Sequence, residues 1–173
     1  MDFSLKNCFQ INIAVIFTFF SLFIASNPSH AQERGASGYP LPRFVSIAHN
    51  VANMRTGPST DYPIKWVYHR KYYPLEVIDE YGPWRKVRDL DGTVGWMHTQ
   101  VLSGRRTVLI TKDGHSLTKE PILGSEKAII ADKGVIGRIL SCATSWCRLE
   151  IDNVKAWAKT STLYGVYPNE VID

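Results

Sequence analysis

The chain has 173 residues, 45% hydrophobic and 21% charged, with a formal net charge of +4. That modest positive balance suits anionic polymers and plain solubility equally. Three cysteines and scattered histidines (His49, His69, His98, His115) offer no ligand spacing and exclude a paired-cysteine zinc site.

The first segment is a leader. Lys6 is its only positive side chain, Ile11 to Ile24 is mostly apolar, and Ser29-His30-Ala31 puts small residues where a signal peptidase cuts. An apolar core of about 14 residues is short for a membrane anchor, which needs roughly 20. A secretory signal peptide over 1–31 is expected, cleaved after Ala31. Cleavage removes one base (Lys6) and one acid (Asp2), leaving 142 residues and the same charge. The expected location is periplasmic or secreted, with no membrane span after cleavage and no nucleic acid as partner.

Residues 32–42, "QERGASGYPLP", are small, polar and rich in Pro and Gly, and predict a flexible lead-in. Beyond them an internal repeat emerges at an offset of 62. Val77 meets Ile139, Trp84 meets Trp146, and Val87 meets Leu149. One residue is lost in the second copy, after which Trp96 meets Trp157 and Leu102 meets Leu163. Two matched tryptophans per copy predict two domains, 43–103 and 104–166, followed by a tail, 167–173. Each has roughly 60 residues, a size at which a single core is marginal.

Within each copy the pattern is of short strands. Leu75 and Val77 alternate with Glu76 and Ile78; Gly82-Pro83 makes a turn; "WRKVRDL" is a strand; Asp91-Gly92 predicts a tight hairpin. No window sustains helical periodicity. The fold class is all-β, and short strands at this density favour closure into small barrels over long open edges.

Before the strand "IKWVY" runs "ANMRTGPSTDYP", a bent connection in which Gly57-Pro58 turns the chain and Asn53 and Ser59 can bond the local backbone. This run, with Trp84 and Val87 in "GPWRKV" and Gly92, Gly95 and Trp96 in "DGTVGWM", closely resembles the bacterial SH3-like (SH3b) domain family. Asn53, Arg55, Gly57, Pro58 and Ser59 match its N-x-R-x-G-P-S element. The resemblance covers about 120 residues of the mature chain and implies two tandem small SH3-like β-barrels, as in exported tandem SH3-like proteins of alphaproteobacteria. The second copy is degenerate, with Leu117 in place of Arg55 and no Gly-Pro.

The family is one of non-catalytic modules that often target cell-wall enzymes to peptidoglycan. No catalytic constellation stands out here: Cys142 and Cys147 lack a motif context with His115, and Asp89 and Asp91 belong to a hairpin. The chain is expected to be no enzyme and to need no cofactor. Strand alternation puts Trp84 opposite the core candidate Val87, and Trp66 and Tyr68 opposite Val67. With Arg55 and Tyr62 from the bent loop, and Trp96, these form a candidate aromatic groove with cationic edges. A small barrel also uses aromatics as core filler. The second copy has Ala128 and Ile130 in place of Trp66 and Tyr68, which favours a ligand role in the first. The expected ligand is peptidoglycan or a wall peptide; the alternative is an adaptor binding another periplasmic protein.

Cys142 and Cys147 flank "ATSW", a hairpin-length insert, and each lies two residues from an apolar neighbour, Leu140 and Leu149. In an exported chain an even pair predicts a structural disulfide.

Overall fold

The computed structural model describes residues 33–173. The expected leader lies outside the described residues. The first strands are β1 (Arg43–Ile47), β2 (Ala52–Arg55), β3 (Ile64–Tyr68), β4 (Pro74–Tyr81), β5 (Trp84–Arg88), β6 (Val94–His98) and β7 (Leu102–Ser103). They form one antiparallel sheet in the order β3-β2-β6-β5-β4-β1-β7. A second set follows: β8 (Thr107–Ile110), β9 (His115–Thr118), β10 (Lys127–Ala131), β11 (Ile136–Ala143), β12 (Trp146–Ile151), β13 (Val154–Lys159) and β14 (Leu163–Tyr164). Its order, β10-β9-β13-β12-β11-β8-β14, is the first order with seven added to every strand number. The protein is all-β, with two SH3-like units.

The alternation of the sequence appears as two separate cores. Ile47, Met54, Leu75, Val77, Val87 and Met97 are fully buried in the first. Val108, Ile110, Leu117 and Leu149 anchor the second. Both units place a bulge at the same point of their longest strand, between Val77 and Asp79 and between Ile139 and Ser141. An extra residue there bends the strand and steepens its twist, which lets one strand serve both sides of a small barrel.

The hairpins after β5 and β12 differ. In the second unit Ile151 pairs with Val154, and Asp152 and Asn153 both have positive φ (48° and 66°), the tight two-residue turn. The first unit carries a wider loop in place of the expected tight turn at Asp91-Gly92. Its last pair is Arg88 with Val94, and Asp89 organises the interior. The Asp89 Oδ1 accepts from the backbone N–H of Asp91 (3.1 Å) and Thr93 (2.8 Å), and its Oδ2 accepts from the Tyr68 hydroxyl (2.8 Å). Burial first, and then this bond to Asp89, push the Tyr68 hydroxyl well above the usual phenol range.

Residues 33–42, expected to be flexible, are instead a pinned turn. Gly35 donates its N–H to the Tyr39 carbonyl (2.9 Å), and Ser37 gives both its N–H and its hydroxyl to Glu80 (2.7 Å each). Composition predicts flexibility only where no buried acceptor waits; here Glu80 waits.

The tail is docked too. Tyr167 gives its hydroxyl to Glu76 (3.0 Å), whose other oxygen takes Arg88 (2.7 Å). Glu76, outward by alternation, is therefore buried under the second unit. Phe44 packs edge-on against Tyr164 (5.3 Å) and at a tilt against Tyr167 (4.8 Å), and the Thr107 hydroxyl donates to the Tyr72 carbonyl (2.7 Å). These contacts join the two units into one body.

Candidate functional site

The bent connection between β2 and β3 is a self-closing loop. Arg55 reaches across its neck, its Nη1 donating to the Tyr62 carbonyl at 2.7 Å, and the Thr56 N–H meets the Pro63 carbonyl at 3.1 Å. Ser59 and Asp61 tie the tip: the Ser59 hydroxyl donates to Asp61 (2.9 Å) and accepts from the Asp61 N–H (3.2 Å). Gly57 lies under the Tyr62 ring, where a Cβ would come within 2.6 Å of ring carbons. The Arg-x-Gly-Pro-Ser run thus builds the loop from within: a bracket, a ring seat and a tip.

Beside this loop runs a groove of about 310 Å³, lined by Asn53, Arg55, Thr60, Trp84, His98 and Gln100 among others. Trp84 forms its floor. Only 8% of Trp84 is exposed, and His98 stands edge-on to it at 5.2 Å. The His98 Nδ1 accepts from the Gln100 N–H (3.2 Å), which fixes the imidazole at the rim. The groove combines an indole floor, the guanidinium side of Arg55 and amide and hydroxyl groups from Asn53, Gln100 and Thr60. Such a mixture can hold an extended polar chain with an apolar face, as sugars and short peptides are.

The six residues singled out in the sequence do not all meet here. Arg55 and Trp84 do. Trp84, expected to be partly exposed, is buried, because the strand that carries it has cover on both sides. Val87 faces the core, while His98 packs edge-on against the indole. Tyr68 is core, packed on Tyr73 (5.4 Å) and bonded to Asp89. Trp66 shares Tyr68's face, since the two pair with Met54 and Ala52. Yet Trp66 remains 56% exposed: the register slips between Met54 and Arg55, and β3 is the outermost strand of its sheet. Tyr62 is 47% exposed on the loop. Trp96 pairs with Arg55 and Lys86 in the register, and the Lys86 Nζ lies 5.9 Å from its ring centroid. An exposed apolar edge, Tyr62, Ile64 and Trp66, therefore stands apart from the groove.

Sequence reasoning missed His98, Gln100 and Thr60. His98 and Gln100 come from the short 3-10 turn Thr99–Val101 and the residue before it, where no periodicity points at a groove. The identity of His98 as the residue two after Trp96 on β6 was the available signal.

Residues 48–104 match the family model described as the bacterial SH3 domain. This segment is a bacterial SH3 domain. The match takes in both the self-closing loop and every groove residue named above. No curated protein matches the chain. Among solved structures, NlpC2 from Trichomonas vaginalis is similar at 11% identity and a TM-score of 0.34, over 73% of this chain and 49% of that one. NlpC1 from the same organism gives 12% and 0.34, over 75% and 48%. An NlpC/P60 family protein from Bacillus cereus ATCC 10987 gives 17% and 0.32, over 72% and 57%. The chain spans about half the length of these structures.

Electrostatically the SH3 domain is organised around a second node, away from the groove. Glu80 takes Arg43 at 2.6 Å and Arg85 at 3.2 Å, besides the two bonds from Ser37. Burial alone would raise its pKa, but the Ser37 and Arg43 hydrogen bonds and the Arg85 charge outweigh that and hold it at about 2. Four contacts from Ser37, Arg43 and Arg85 converge on its two oxygens, so this node is a fastening.

Proposed function

We propose that this protein is a non-catalytic, exported binding module whose SH3 domain holds peptidoglycan or a wall peptide in the groove floored by Trp84. The observation that carries this reading is the groove itself: an indole floor with Arg55, Asn53 and Gln100 on its sides, built by the loop that marks the family. The disulfide of the second unit fits an oxidising compartment, which supports a place in the envelope. No helix among the described residues is long and apolar enough to cross a membrane.

A second reading, an adaptor that binds another envelope protein, draws on a different observation. The edge strand β3 presents Ile64 and Trp66, 48% and 56% exposed, beside Tyr62. Exposed strand edges accept an added strand from a partner.

Co-sedimentation with purified, insoluble cell-wall sacculi separates the two. Thr60→Arg, which fills the groove from an exposed position, should lower the bound fraction by roughly tenfold. Trp66→Ala should leave it unchanged. The reverse pattern would move recognition to the β3 edge, and absence of any sedimentation by the unaltered protein would end the wall reading.

A further inference from the structure

The groove has a counterpart. Moving Asn53, Thr60 and Trp84 forward by 62 residues, and His98 by 61 past the shortened hairpin, gives His115, Ile122, Trp146 and Lys159. All four line one smaller groove of about 200 Å³ in the second unit, together with Leu123. The site persists at its place in the fold while nearly every side chain around the tryptophan has changed. We propose that the second unit is a binding site in its own right, and that it takes a short acidic peptide bearing a bulky aliphatic side chain.

Three substitutions set that preference. Thr60, on the lip of the first groove, and its neighbour Asp61 give way to Ile122 and Leu123, which are 55% and 78% exposed. Two large aliphatics held in water beside an indole are costly to leave uncovered. His98 gives way to Lys159, whose Nζ lies 5.7 Å from the Trp146 ring centroid. That ammonium has no ion-pair partner among the described residues, whereas Lys119, on the loop that carries Ile122 and Leu123, is taken by Glu126 at 2.9 Å. Neither Glu120 nor Glu126 lines the groove. An unpaired cation over a ring, flanked by aliphatics, matches a carboxylate next to a branched side chain.

The lip is held in place by its own loop. Lys119 gives its N–H to the Glu126 carbonyl (2.9 Å), Glu120 gives its N–H to the Ser125 hydroxyl (3.1 Å), and the Thr118 hydroxyl donates to the Glu120 carbonyl (2.7 Å). Ile122 and Leu123 are therefore presented on a closed loop, which lowers the ordering cost of contact. Trp146 is more open than Trp84, so its indole is within reach of a ligand side chain.

The test is a titration of the isotopically labelled whole protein, following the indole N–H signals of Trp84 and Trp146 by NMR. The probes are the acetylated and amidated peptides Leu-Glu-Leu, Leu-Lys-Leu and Ser-Glu-Ser. Leu-Glu-Leu should move the Trp146 signal and leave Trp84 in place, with the other two roughly five- to tenfold weaker. Lys159→Gln and Leu123→Ser, at a half-buried and an exposed position, should each weaken Leu-Glu-Leu to a similar degree, while Thr60→Arg should not affect it. Equal binding of Leu-Lys-Leu, or no loss in the Leu123→Ser protein, would overturn the proposal. Concentration-dependent dimerisation abolished by Leu123→Ser would assign the lip to a second copy of this chain, and would overturn it too. Thr60→Arg, which tests the first groove, gives an answer independent of this one.

Discussion

The two units solve one problem with two chemistries. At the far end of the β4–β5 hairpin Glu80 faces Arg85 across the strands; at the far end of β11–β12 Cys142 faces Cys147. The offset of 62 carries Glu80 onto Cys142 and Arg85 onto Cys147. One cross-strand position is thus an ion pair in the first unit and a disulfide in the second, with the two Cα atoms of the cysteines 4.1 Å apart. Each position also receives a terminal segment. The ionic version has acceptor capacity to spare, so Glu80 captures Ser37 and draws the lead-in onto the barrel. The sulfur version has none, so at this position the tail is held by backbone bonds: the Cys142 N–H meets the Ile172 carbonyl at 2.8 Å, and the Ile172 N–H returns to the Cys142 carbonyl at 3.0 Å. A hairpin end that anchors a terminus needs a fastening, and the kind of fastening decides what it can anchor.

The largest effect should come from breaking the ionic fastening. Glu80→Ala leaves Arg43 and Arg85, both mostly buried, without their carboxylate. Unpairing charges of this kind costs about 3 kcal/mol, seen as a lower urea midpoint, and residues 33–40 should become open to protease. The pH dependence has the same origin. Because the folded pKa is depressed, to about 2 from 4.5, the stabilisation is complete above 4.5 and is lost as pH falls towards 2. Glu170, lowered by its bonds from Arg106 against a burial effect that raises it, adds loss in the same direction. Wild type and Glu80→Gln should therefore converge in stability as the pH approaches 2. An undiminished difference at pH 2 would remove Glu80 as the cause.

The covalent fastening should be worth less. The closed loop is short, so reduction, or Cys142→Ala with Cys147→Ala, should cost about 2 kcal/mol on chain-entropy grounds. That loss should be the same at pH 3 and pH 7, since no carboxylate is involved. Hydrogen exchange at Ile172 should speed up with it. If reduction leaves both the urea midpoint and that exchange rate untouched, the disulfide is not what holds the tail.

How much of this could be seen beforehand varies with the physics. The all-β class, the two cores and the disulfide were legible because alternation and matched tryptophans are local, repeated signals. The depth of Trp84 was not. Alternation assigns a side chain to a face, but in a barrel this small the outer face of β5 is itself covered, with His98 edge-on to the indole. Tyr68 was misplaced for the opposite reason: its face was right, but its hydroxyl finds Asp89 from a hairpin 21 residues away, a partner no local pattern indicates. The Glu80 node was legible in principle, through the repeat. Its register with the two cysteines lay in the same offset that aligned Trp84 with Trp146.

The smallest effect tests the loops, where the units have exchanged roles. Gly57 in the first loop lies beneath the Tyr62 ring; at the corresponding places the second loop has Lys119 and Gly124. The glycine has moved from under the ring to where the ring would be. Gly57 is not among the glycines with positive φ, so its backbone would tolerate alanine, and the obstacle is the ring alone, 2.6 Å from the new Cβ. Gly57→Ala should therefore destabilise by about 1 kcal/mol, since the ring must swing out and lose its seat. In a Tyr62→Ala background the same change should become neutral or stabilise by about 0.5 kcal/mol, because only the entropy of the unfolded chain remains to be affected. Urea denaturation of the four proteins gives the coupling directly as a double-mutant cycle. A cost for Gly57→Ala that is the same with and without Tyr62 would show that the glycine answers to the backbone instead, and that the ring seat plays no part in shaping the loop.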